Sequence, residues 1–152
     1  MRLRAEDAED LAVISACLQD ALVPVRDLAF DQDTGAFLLV ANRFRWESYD
    51  SEAKDAAGFE RVLCGVTFDA VDAVAYRGFH RSEEDRILSL LAIRPASGAA
   101  DGSGDGGGAI ELEFSGGATI RLSTAAIACR LHDFGEPWPT AWQPDHPPDV
   151  PT

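Results

Sequence analysis

The sequence predicts an α+β domain: an antiparallel β roll or barrel of about seven short strands, preceded by one helix and capped by another. Three observations carry that expectation. Apolar residues from Glu6 to Leu22 recur every three or four positions, segments from Val25 to Leu122 alternate apolar and polar residues between turn-forming stretches, and helical spacing returns after Thr124.

The first helix rests on Leu11, Ile14, Cys17, Leu18 and Leu22, which share one face at 3.6 residues per turn. Glu6, Asp7, Glu9 and Asp10 fill its first turn, where negative charge meets the positive end of the helix dipole, and Asp7 suits the N-cap. Pro24 disfavours helical geometry at Val23, so the helix is expected to stop near there. Val25 to Phe30 and Ala36 to Trp46 flank the polar loop Asp31 to Gly35 and read as a hairpin. Ser48 to Gly58 is the connection that follows. Glu60 to Phe68 and Val71 to Phe79 flank Asp69-Ala70 and read as a second hairpin, although that dipeptide fits tight turns poorly.

Arg86 to Ile93 is a run of large aliphatic residues closed by Pro95, and its period fits strand or short helix. Ile110 to Phe114 and Thr119 to Leu122 alternate cleanly around Ser115-Gly116-Gly117-Ala118, which predicts a hairpin with Glu111, Glu113, Thr119 and Arg121 facing outward. Thr124 to Phe134 opens on a capping threonine and spaces Ile127, Ala128, Leu131 and Phe134 as on a helix, with Gly135 as the stop. A strand count near seven with a closing helix suits a pleckstrin-homology-like roll. The domain is expected to span residues 1–143, with residues 97–108 as a flexible glycine-rich loop and residues 144–152 as a proline-rich tail. From Glu136 onward, prolines argue against helix and against a central strand.

Composition narrows the function. At 152 residues, 46% of them hydrophobic, the chain is long enough for a core without staples. Its 26 acidic against 13 basic residues leave a formal net charge of −13, which repels phosphate backbones and anionic lipid heads. Nucleic acid and membrane are therefore not the expected partners; a protein or peptide is, and the sequence leaves the oligomeric state open. Cys17, Cys64 and Cys129 form no C-x-x-C pair and are odd in number, so they are expected as buried free thiols. The acidic amino end is unlike a signal peptide, and no apolar run reaches the roughly 20 residues of a membrane span, which points to the cytoplasm.

Two segments carry candidate binding residues. In Asn42-Arg43-Phe44-Arg45-Trp46-Glu47, alternation puts Arg43 and Arg45 on one strand face, where they can clamp a carboxylate or phosphate, with Trp46 on the other. In so acidic a chain, pairing with an internal carboxylate such as Glu60 or Asp69 is the favoured reading. The second segment, Tyr76-Arg77-Gly78-Phe79-His80-Arg81, gathers Tyr76, Arg77 and His80 at a predicted strand end. His80 can act as a general base only beside an orienting carboxylate in a pocket. Trp138, in Pro137-Trp138-Pro139, is a candidate contact on the domain surface. Scattered His80, His132 and His146 make no zinc motif, and neither a nucleophile elbow nor a phosphate-binding glycine loop occurs, so no metal, cofactor or catalytic residue is expected.

Taken together, Ala5-Glu6-Asp7-Ala8-Glu9-Asp10-Leu11, Leu18-Gln19-Asp20-Ala21, Asn42 to Glu47, Leu88-Ser89-Leu90-Leu91-Ala92-Ile93 and Pro137-Trp138-Pro139-Thr140 resemble an uncharacterised bacterial family, domain of unknown function 2948. The resemblance spans essentially the whole chain through the Trp-Pro segment. It implies a stand-alone cytosolic protein and carries no catalytic residue with it. The resulting expectation is a non-enzymatic binding or adaptor module that meets a protein segment at a sheet edge or at the Arg43, Arg45 and Trp138 surface. The alternatives are a small hydrolase or isomerase using His80 with an acidic neighbour, and a carrier with a cavity inside the roll.

Overall fold

A computed structural model of the chain describes residues 1–45, 60–97 and 108–139. Backbone alternation dominates it. Ten strands, β1 (Arg2–Ala5), β2 (Leu22–Pro24), β3 (Ala29–Asp31), β4 (Ala36–Phe44), β5 (Glu60–Phe68), β6 (Val71–Arg77), β7 (Ile87–Ser97), β8 (Gly108–Phe114), β9 (Thr119–Thr124) and β10 (Cys129–Pro139), form one antiparallel sheet. Among the described residues, a single α-helix, α1 (Ala8–Cys17), interrupts the series after β1. Sheet order is β1-β10-β5-β4-β2-β7-β8-β9-β6, with β3 pairing β4 off that path.

The α+β roll of pleckstrin-homology type is not what the chain builds: it is mostly strand, with more strands than the expected seven and no capping helix among the described residues after Thr124. The segment read as that helix is β10. Cys129 and Leu131 are buried while Arg130, His132 and Phe134 are not, a period of two, and Phe134 is 39% exposed where the helical reading had placed it on the apolar face. Cross-strand partners decide the matter, because β10 pairs with β5 from Cys129↔Phe68 to Phe134↔Leu63 and with β1 from Cys129↔Ala5 to His132↔Arg2. Pro137 and Pro139 continue this strand, despite the expectation that the prolines from Glu136 onward argue against a central strand. They fit because the pairing with β1 ends at His132 and β10 beyond it has a described neighbour on the β5 side alone, as proline in a sheet requires.

Other elements follow the sequence more closely. Asp7 is the N-cap of α1, its side chain accepting from the Asp10 N–H at 2.8 Å. Asp20, at φ +65°, turns the chain out of the helix region before Pro24, and Leu22 to Pro24 become β2 rather than the end of the helix. β3 and β4 form the first expected hairpin, and β8 and β9 form the hairpin around Gly116, with Glu111↔Arg121 and Glu113↔Thr119 in register. Arg86 to Ile93 resolves as strand, within β7. The hairpin across Asp69-Ala70 does not form: both flanking segments are strands, but β5 pairs with β4 and β10, and β6 pairs with β9. Ala70, at φ +62°, redirects the chain from one half of the sheet to the other.

Both halves bury their inward residues in one core. Phe37, Leu39, Val66, Phe68 and Leu131 from the first half meet Leu90, Ile110, Leu112, Ile120 and Leu122 from the second, and Leu11, Ile14 and Leu18 add the buried stripe of α1. The helix packs on β7 and β1, and its Ser15 hydroxyl accepts the Ile93 N–H at 2.9 Å beside the irregularity between Leu90 and Ala92. β2 joins the halves, pairing Leu22 with Asn42 of β4 and with Ser89 of β7. The glycine-rich stretch, the connection after Trp46 and the chain beyond Pro139 lie outside the described residues.

Candidate functional site

Alternation along β4 turns Arg43 inward, where it is fully buried among apolar neighbours. A buried guanidinium needs a counter-charge and a filled set of acceptors. Asp133 of β10 supplies both in a bidentate pair, Arg43 Nε to Oδ1 at 2.9 Å and Nη2 to Oδ2 at 2.7 Å. Arg43 Nη1 also donates to the Phe44 carbonyl at 3.3 Å, and the amino group of Met1 lies 3.3 Å from Asp133 Oδ2. Burial works to raise the Asp133 pKa, but the Arg43 hydrogen bonds and charge, joined by the terminal ammonium, hold it below the usual carboxylate value. Arg45 pairs with Glu60 at the β4–β5 end, the carboxylate expected for it. The two arginines of the predicted clamp are thus each engaged by the protein's own acids. Trp46 lies outside the described residues, and Trp138 takes its place in β10 opposite Arg61 of β5.

The second cluster is brought together as one concave surface. Tyr76, Arg77, Gly78, Phe79, His80, Arg81 and Glu83 line a cleft of about 620 Å³ where β6 ends. Its shape follows from local chemistry. Gly78 takes φ +85°, and a Cβ there would meet the Gly117 carbonyl oxygen at 2.5 Å, so only glycine lets this turn pack on the β8–β9 turn. Phe79 is buried and meets the Tyr76 ring edge-on at 5.7 Å. Arg81 lies 5.3 Å from the Tyr76 ring centroid, donates to Tyr76 Oη at 3.2 Å and to the Leu28 carbonyl at 2.8 Å.

His80 is exposed. The nearby carboxylate engages its backbone: the His80 N–H donates to Glu83 Oε1 at 2.7 Å, and Glu83 Oε2 lies 3.5 Å from Arg86 Nη1. That backbone hydrogen bond first, and the Arg86 charge after it, hold the Glu83 pKa below its ordinary value. The arrangement fixes a turn and does not orient an imidazole for proton transfer.

β6 itself is the other part of the site. It is one end of the sheet path, hydrogen-bonded to β9 on one side and to no described strand on the other. Ala73, Ala75 and Arg77 are exposed along it, while Val74 and Tyr76 are half-buried against the core. The opposite end of the path, β1, is four residues long and carries exposed Arg2 and Arg4.

A family model described as a protein of unknown function, DUF2948, matches residues 1–146. The chain belongs to the DUF2948 family. This is the family its Trp-Pro segment, acidic helix start and Arg-Phe-Arg-Trp strand resemble. No curated protein and no solved structure matches this DUF2948 chain. Among its described residues, no helix is long and apolar enough to cross a membrane, and no three His, Cys, Asp or Glu side chains gather as a metal site.

Sequence reasoning found Tyr76, Arg77 and His80 together but not the acids and cations that organise them. Asp133 was hidden by the helical reading of its segment; the signal that reveals it is an inward arginine on one strand and an inward carboxylate at the matching period on another. Glu83 has a local signal, a carboxylate three residues after the N–H it caps.

Proposed function

We propose that this DUF2948 protein is a binding module that takes an extended segment of a partner protein onto the open side of β6. The observation that carries the reading is the contrast between the two sheet ends. An exposed edge strand is a template for another strand, and proteins usually blunt it with shortness, charge or proline. β1 is blunted by length and by two arginines, whereas β6 runs seven residues with Ala73-Val74-Ala75-Tyr76 at its centre and no proline, its charged residues Asp72 and Arg77 and its register irregularity lying toward its ends. Strand addition draws affinity from main-chain hydrogen bonds and selectivity from alternate side-chain positions, which β6 and the adjoining cleft both offer.

The Arg43 and Arg45 surface gives the reading no support, since both guanidiniums are engaged within the chain. A random peptide library displayed on phage, selected on the purified protein, tests the edge. Enriched peptides are expected to slow amide exchange in β6 and to be lost on Ala75→Lys, which places charge on the exposed strand without entering the core. Enrichment that leaves β6 exchange unchanged, or no enrichment, refutes the reading.

A further inference from the structure

The cleft beyond β6 differs electrostatically from the rest of the molecule. Arg61 donates to the two oxygens of Asn42, but most other arginines outside the cleft face carboxylates, as in Arg26–Asp85 at 2.7 Å, Arg43–Asp133 at 2.7 Å and the Arg121–Glu111 pair of the β8–β9 hairpin. In the cleft they do not. Arg81 donates to two neutral oxygens, the Tyr76 hydroxyl and the Leu28 carbonyl, and keeps further N–H donors unused by either bond. Arg77, the last residue of β6, makes no hydrogen bond or ion pair among the described residues. The one acidic residue lining the cleft, Glu83, is already occupied by the His80 N–H and by Arg86. Among the described residues, two guanidinium groups are therefore left without an ion-pair partner, in a chain of net charge −13.

Arg81 is also held in place, over the Tyr76 ring and tied to Leu28, so a ligand group meeting it finds a donor array already oriented. Arg77 shares the outward face of β6 with Ala73 and Ala75, where it stands beside whatever residue lies across from it on an added strand. We propose that this cleft seats a carboxylate side chain of the partner, an aspartate or glutamate flanking the residues that pair with β6, held by Arg77 and Arg81. The inference rests on the strand-addition reading and specifies the chemistry of its ligand. A polyanion such as nucleic acid or a lipid surface does not fit, because it would meet the repulsion of the whole acidic surface, whereas one carboxylate acts within a Debye length of about 8–10 Å.

The peptides selected on the wild-type protein provide the test. An Asp or Glu at a constant distance from the β-forming core is expected in them, and replacing it by Asn or Gln should weaken binding about tenfold, the scale of a charge-assisted hydrogen bond. Arg77→Gln, which removes no hydrogen bond or ion pair among the described residues, should weaken the acidic peptide about tenfold and leave its amide version unchanged; Arg81→Gln should do the same provided its melting curve matches wild type. Selected peptides that protect β6 and are lost on Ala75→Lys, yet contain no acid or ignore Arg77→Gln, overturn the carboxylate and leave the edge reading standing. Selection of peptides that do not protect β6, or a second copy of this chain as the sole occupant of the edge, overturns both.

Discussion

Replacing Asp133 by Asn should destabilise the protein far more than any exposed ion pair can. The substitution keeps the side-chain volume but removes the charge facing Arg43, whose guanidinium is 0% exposed and held at 2.9 and 2.7 Å. Breaking one partner of a buried pair costs roughly 3–5 kcal/mol because the other charge stays desolvated. Since Asn retains one acceptor, the lower end, about 3 kcal/mol, is expected, which for a domain of this length lowers Tm by about 6–12 °C. Urea titrations and thermal melts followed by circular dichroism measure it, with Arg45→Gln at the half-exposed Glu60 pair as a control expected to cost at most about 1 kcal/mol. The double variant Arg43→Met with Asp133→Leu should recover most of the loss, because an apolar pair leaves no orphan charge. Acid adds an independent readout. The folded Asp133 pKa lies below its ordinary 3.8, so the unfolded chain binds the proton first, and the stabilisation present above that value is lost as pH falls through the folded pKa. The gap between wild type and Asp133→Asn should therefore close below about pH 4. A loss under about 1 kcal/mol in Asp133→Asn, or a double variant as unstable as the single, refutes the argument.

Two further outcomes follow from the core and the cleft. Burial pushes the Cys64 and Cys129 thiols up to about 12, whereas Cys17 is partly exposed, so at pH 8 a chromogenic disulfide reagent should label Cys17 and reach the other two only in denaturant. Because the fold favours the protonated thiols, their contribution is complete below pH 9 and falls as pH rises from 9.0 toward 12, so Cys64→Ala with Cys129→Ala should flatten the alkaline limb of urea midpoints; an unchanged slope counts against it. Gly78→Ala should cost clearly more than Gly116→Ala. Both positions carry left-handed strain of about 1–2 kcal/mol, but only at Gly78 does the new Cβ strike backbone, the Gly117 oxygen at 2.5 Å, and equal urea midpoints for the two variants would refute the packing role of this turn.

Legibility in the sequence tracked how local each decision was. Asp7, the Gly116-Gly117 turn and the alternation of Ile110, Leu112, Phe114, Ile120 and Leu122 state their structure within a few residues, and each appears where expected. Cys129 to Phe134 does not. Its apolar residues fit both periods, and what selects strand is hydrogen bonding to Val66 and Leu3, distant in sequence, together with burial of Asp133 against an arginine 90 residues away. Asp69-Ala70 misled for a related reason: two consecutive strands form a hairpin only when they pair with each other, and here β5 pairs with β4 and β10 while β6 pairs with β9. In the site, the cluster Tyr76 to Arg81 was visible as an unusual run of types, but which of its cations stay unbalanced depends on Glu83, Arg86 and Leu28, set by the turn and by β3's approach.

Placement of β10 between β1 and β5 has a consequence for how the molecule matures. Synthesis makes β1 well before β10, its sheet neighbour among the described strands, so β1 waits for that neighbour until the intervening strands have been made. Throughout that interval Arg43 has no Asp133, and closing the first half of the sheet around a lone guanidinium is energetically forbidding. The buried pair thus ties the inner face of β4 to a strand far along the chain, so that Arg43 gains its counter-charge only when β10 docks.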